Sequence, residues 1–138
     1  MIRKTSSVIA LAATAGALLL GTGTSSAAGG EDMVCHVSPS NSSNYTQNCF
    51  TTKSSTTYTV AYRVQNGTGS YTYAWTPPTN HGVHVAYGCT STSDYCTITV
   101  PRQGEQYLVA NVTLTQGSYH ATLSTEAEIP AMCGTQIC

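Results

Sequence analysis

From residue 57 to residue 129 the chain keeps a two-residue rhythm, and that rhythm excludes most folds. Tyr58, Val60, Tyr62 and Val64 fall on one side of an extended segment, with Thr57, Thr59, Ala61, Arg63 and Gln65 on the other. Successive side chains of a strand point to opposite faces, so this segment reads as a strand with one buried and one wet face. After the turn-forming Asn66-Gly67-Thr68-Gly69, read as a hairpin, Tyr71, Tyr73 and Trp75 share a face and are expected in the core. Pro77-Pro78 ends that strand, because proline donates nothing to a ladder. Val83, Val85 and Tyr87 form the next face, and Cys96, Ile98 and Val100 the one after, closed by Pro101. Leu108, Ala110, Val112 and Leu114 mark the longest strand before the turn at Gln116-Gly117. Tyr119, Ala121, Leu123, Thr125, Ala127 and Ile129 then alternate with polar residues up to Pro130. Residues 34–38 make a further strand and the Ser/Asn-rich residues 38–48 a loop, while 131–138 form a disulfide-tied cap rather than a strand. About seven short antiparallel strands with turns between them, and no helical period, predict an all-β sandwich.

The first residues read differently. Arg3 and Lys4 precede an apolar run over residues 8–20, too short to span a membrane comfortably, and Ser26-Ala27-Ala28 supplies the small residues of a cleavage site. Residues 1–28 are therefore expected to be a secretory signal peptide. The remainder divides into a segment at 29–56 with the first strand and the polar loop, a sandwich at 57–130 and the tail at 131–138. The expected product is secreted, free or held at the cell surface, with no membrane span. Beyond residue 28, three cations (Lys53, Arg63, Arg102) stand against six acids. A chain with so few cations and no basic stripe is not expected to bind nucleic acid.

All six cysteines lie beyond the leader: Cys35, Cys49, Cys89, Cys96, Cys133 and Cys138. An even number in an exported chain reads as three disulfides, in many possible pairings that sequence alone does not resolve. Their spacing suggests the local pairs Cys35–Cys49, Cys89–Cys96 and Cys133–Cys138. No Cys-x-x-Cys pair is present, so zinc is not expected.

The stretch NGTGSYTYAWTPP, residues 66–78, resembles the second and third strands of PKD-like and related immunoglobulin-like bacterial modules. Residues 105–129, EQYLVANVTLTQGSYHATLSTEAEI, look like the closing hairpin of such modules. The Gly-Asp-Gly segment usual after the tryptophan of PKD modules is replaced by Thr76-Pro77-Pro78-Thr79. The resemblance implies an immunoglobulin/PKD-like sandwich with extracellular binding, spacing or adhesion roles and no shared catalytic residues.

The residues that could carry chemistry form no recognisable catalytic set. Glu126 and Glu128 are two carboxylates roughly 7 Å apart on one strand face, near the separation used by inverting glycosidases but without an opposing wall. His36, His81, His84 and His120 match no specific metal site. No Gly-x-Ser-x-Gly elbow marks a reactive serine. No enzyme, metal or cofactor is expected. The expectation is instead a binding module for a protein or a glycan, with Asp94, Tyr95 and Tyr107 as candidate surface residues, because tyrosine combines contact area with a hydroxyl. Tyr45 is likewise expected to be exposed. The rival readings are a protease inhibitor that presents the loop between Cys89 and Cys96, and a carbohydrate-binding module built on the exposed tyrosines.

Overall fold

The computed structural model describes residues 29–138; the expected signal peptide lies outside the described residues. Ten strands follow one another with no helix among the described residues: β1 (Asp32–Ser38), β2 (Asn48–Phe50), β3 (Thr57–Gln65), β4 (Thr72–Thr76), β5 (His84–Gly88), β6 (Tyr95–Pro101), β7 (Gln106–Gln116), β8 (Tyr119–Ile129), β9 (Met132–Cys133) and β10 (Gln136–Ile137). Eight of them form two four-stranded sheets, ordered β1-β3-β6-β5 and β2-β8-β7-β4. The expected all-β, disulfide-braced sandwich is present, in a strand order compatible with an immunoglobulin-like module.

The alternation places the core where it was expected. From β3, Tyr58, Val60 and Tyr62 are fully buried, and from β7 so are Leu108, Ala110, Val112 and Leu114. Ile98 and Val100 of β6, and Ala127 and Ile129 of β8, close the cluster. The Tyr62 hydroxyl donates to the Leu108 carbonyl at 2.9 Å, joining one sheet to the other across the core. Burial, with the charge of Glu126 second, pushes that phenol well above its ordinary range.

Four details depart from the sequence reading. The turn at residues 66–69 is not a hairpin: β3 and β4 lie in different sheets, and the link crosses between them. Local sequence marks that the chain turns there, not which sheet the next strand joins. The three-residue β2, too short to show alternation, lies within what was read as polar loop and its flank, and it pairs with β8 in parallel, so not every pairing is antiparallel. The tail is a two-stranded ribbon of β9 and β10 rather than a strandless cap. Trp75 faces the core but is only partly buried, because β4 is the edge of its sheet.

The three disulfides are Cys35–Cys49, Cys89–Cys96 and Cys133–Cys138, the local pairs their spacing suggested. The second closes the turn between paired strands β5 and β6. Three disulfides suit an oxidising, extracellular setting. Among the described residues no helix is long and apolar enough to cross a membrane.

Candidate functional site

The outer face of the β1-β3-β6-β5 sheet carries a cluster that the sequence reading only half anticipated. Arg63 of β3 and Tyr95 of β6 sit directly opposite each other in the ladder. Tyr45 reaches the same place from the loop before β2, where its neighbour Thr46 exchanges two backbone hydrogen bonds with Cys35, at 2.7 and 3.0 Å. Tyr87 arrives from β5. Together they line a depression of about 240 Å³ floored by Ala61 and Thr97. The Arg63 guanidinium carbon lies 5.5 Å from the centre of the Tyr45 ring, within cation–π range. On the other side Tyr87 and Tyr95 meet edge to face at 6.2 Å. His36 flanks Tyr45 at 5.6 Å between ring centres.

The position of Tyr87 corrects the sequence reading, which put it inward with Val85. A register shift between Val85 and Tyr87 sets Tyr87 opposite Thr97 instead of an inward residue. β5 is open to solvent from His84 to Tyr87, so Val85, also read as inward, is exposed, and Tyr87 is 60 % exposed. The backbone around this bulge is unusual. Gly88 has φ of +72°, and an added Cβ there would lie 2.6 Å from both the ring and the carbonyl oxygen of Tyr95. Cys89 follows at φ of +58°. Glycine is required at 88 both for its conformation and for the approach of Tyr95. A bulge that re-aims a side chain and a left-handed cysteine beside it are features that gather at functional surfaces.

The three surface residues singled out from sequence are not brought together. Tyr95 joins the cluster. Asp94 borders the adjacent depression with Arg63 and Tyr73; burial first, and the Asp94 charge second, raise the Tyr73 hydroxyl above its ordinary value. Tyr107 lies on the outer face of the opposite sheet, where its hydroxyl donates to Glu105 at 3.0 Å. That hydrogen bond, with the Glu105 charge next, raises the Tyr107 phenol. Glu126 and Glu128 share that second face, flanking Tyr107 and Val109 on the neighbouring strand. They stand on an open strand surface with no wall across from them. Among the described residues no group of three or more His, Cys, Asp or Glu side chains is placed to hold a metal ion.

The loop closed by Cys89 and Cys96 is more constrained than its composition suggests. Its Ser91 carbonyl accepts the Tyr73 N–H at 2.9 Å, and its Ser93 carbonyl accepts the Trp75 indole N–H at 2.8 Å. The loop therefore clasps the edge of β4 and covers part of the tryptophan.

Sequence reasoning missed Glu31 entirely. It is 8 % exposed, and its carboxylate accepts hydrogen bonds from Tyr71, from Tyr119 at 3.0 Å and from the Gly29 N–H at 3.0 Å. The Tyr71 bond is the main cause that holds this carboxyl down at about 2, against the opposing effect of burial. No protein-family model matches the chain, and no curated protein is significantly similar to it.

Proposed function

We propose that the protein is a secreted, non-enzymatic immunoglobulin-like module that binds a protein partner on the outer face of the β1-β3-β6-β5 sheet. The observation that carries this reading is the convergence of Tyr45, Tyr87 and Tyr95, from three separate segments, around one depression that Arg63 also lines. Exposed rings of this kind give contact area at low entropic cost. Tyrosine and arginine are also the residue types that dominate binding energy at protein interfaces. Disulfides and the β5 bulge hold the cluster in place before the partner arrives, which lowers the ordering cost of association. The immunoglobulin-like assignment is supported by the strand order, with β1, β3, β6 and β5 in one sheet and β4, β7 and β8 in the other.

The two rival readings fit the geometry less well. A protease inhibitor needs a loop whose backbone is free to pair with the enzyme, whereas the carbonyls of Ser91 and Ser93 are already engaged. A sugar platform made of Tyr95 and Tyr107 is less well supported, because the two rings stand on opposite outer faces. The Tyr87 and Tyr95 rings also lie at 62° to each other, not in one plane. The test is affinity capture of extracellular proteins from the source culture, followed by calorimetric titration of each captured protein. Tyr87→Ala and Arg63→Ala are each expected to weaken binding about tenfold or more, and Tyr107→Ala to leave it unchanged. A partner held equally well by both cluster variants sinks the proposal.

A further inference from the structure

A second site lies beside the tyrosine cluster, on the loop that carries Tyr45. Between β1 and β2 the chain forms a loop over residues 39–47 whose ends are held by the Cys35–Cys49 bridge and by the paired backbones of Cys35 and Thr46. The loop is knitted internally. Ser42 N–H donates to Ser40 Oγ at 3.2 Å, and Asn44 N–H to Ser42 Oγ at 3.1 Å. His36 Nε2 lies 2.7 Å from the Ser42 carbonyl, and Asn41 Nδ2 donates to Thr52 Oγ1 at 3.1 Å. Thr51, fully buried, donates to the Pro39 carbonyl. Beneath this loop is a pocket of about 330 Å³, at the small end of the range for ligand sites.

The chemistry of its lining is specific. Val37 and Cys49 supply an apolar base, and Phe50, 64 % exposed and level with Glu128 in the β2–β8 ladder, is also among the lining residues. The rim is made of hydroxyls and carboxamides, among them Asn41, Asn44 and Thr52. No carboxylate, lysine or arginine lines it, and His36 is its one titratable group. An ionic ligand would therefore lose its hydration and meet no counter-charge. The loop's internal bonds use Asn41 Nδ2 as a donor and the Ser40, Ser42 and Thr52 oxygens as acceptors, so a purely apolar ligand would cover the Asn44 carboxamide and the remaining hydroxyl donors without pairing them. A pyranose satisfies both halves, because its C–H face covers an aromatic ring while its hydroxyls both donate and accept. The pocket's size fits a single sugar unit rather than an extended chain.

We infer that this pocket binds a neutral monosaccharide unit, with Phe50 as the stacking ring and the 39–47 loop as the hydroxyl-reading rim. The experiment is a titration of the isotope-labelled protein, followed by amide chemical shifts. The probes are glucose, galactose, mannose and N-acetylglucosamine, each raised to about 50 mM, well above a millimolar dissociation constant. Glucuronate and inorganic phosphate are the charged comparisons. At least one neutral sugar is expected to shift saturably the amides of residues 40–52 while leaving those of residues 87–97 in place. Phe50→Ala, at an exposed position that the fold does not need, is expected to weaken that binding about tenfold. The inference is overturned if no neutral sugar moves the loop amides, if Phe50→Ala leaves the affinity unchanged, or if glucuronate or phosphate binds there more tightly than every neutral sugar.

Discussion

Glu31 shows how much one side chain can do without announcing itself in the sequence. It stands before the first strand, in no pattern, yet the fold brings Tyr71 and Tyr119 onto its carboxylate from far along the chain. Nothing local reveals such a site, because its partners are set by tertiary structure alone. The carboxyl is held at about 2 against an ordinary value of 4.5. A carboxyl whose value falls on folding adds stability above its unfolded value, and that stability is lost as the pH drops through its folded value. The protein is therefore expected to lose thermal stability progressively from about pH 4.5 down to about pH 2. Melting curves across that window should show the loss largely abolished in Glu31→Gln. In Tyr71→Phe the acid transition should move to higher pH. An unchanged acid limb in both variants would refute the role given to this carboxylate. Gly88 is the second position where one residue decides a surface. Gly88→Ala forces a left-handed φ on a side chain whose Cβ would meet Tyr95. It is expected to cost about 1–3 kcal/mol in urea unfolding and to weaken partner binding by displacing the Tyr95 ring. Binding equal to that of the native protein would show that Tyr95 is not a contact.

At the scale of elements, the strands rich in alternation were readable and the short or irregular ones were not. β3, β7 and β8 each run long enough for period two to show their buried face. β2 spans three residues, and β5 breaks its own alternation at the bulge, so Tyr87 read as core and stands in solvent. The candidate site inherits that failure. Tyr45 and Tyr95 were legible as exposed, but neither the bulge nor the ladder partnership with Arg63 leaves a local trace. The loop between Cys89 and Cys96 also acts as an element, because it ties β6 to the edge of the other sheet through Tyr73 and Trp75. Replacing both cysteines by alanine removes a short covalent loop, expected to cost about 2–3 kcal/mol on the chain-entropy account. It should also loosen the cover over the tryptophan. Trp75 emission is then expected to shift to the red and to become more accessible to iodide in the still-folded variant. A destabilised variant with unaltered quenching would mean that the loop does not need the disulfide to hold its place on β4.

For the whole molecule, sheet membership is the part of the fold that cannot be read locally. The turn at residues 66–69 has the composition of a hairpin, yet it carries the chain from one sheet to the other. What makes that crossing favourable is global: Tyr71, just after the turn, buries its ring and reaches Glu31, and the faces of β3 and β7 close on each other. The sandwich is held by apolar burial, by the Cys35–Cys49 bridge from β1 to β2, and by a buried hydrogen bond from Tyr62 of β3 to the Leu108 carbonyl of β7. The hydroxyl is fully enclosed, so no water replaces it when it is removed. Tyr62→Phe keeps the ring and its packing but deletes the donor and leaves the carbonyl one partner short. The expected cost is about 1–2 kcal/mol, read as a lower urea midpoint with an unchanged slope. By contrast, Tyr87→Ala and Tyr107→Ala, at exposed positions on opposite faces, are each expected to stay within about 0.5 kcal/mol of the native protein. The contrast separates buried Tyr62, whose hydroxyl joins the two sheets, from exposed tyrosines that the fold does not need. If Tyr62→Phe unfolds at the native midpoint, the Tyr62–Leu108 hydrogen bond adds nothing to the packing, the Cys35–Cys49 bridge and the loop contacts that join the sheets.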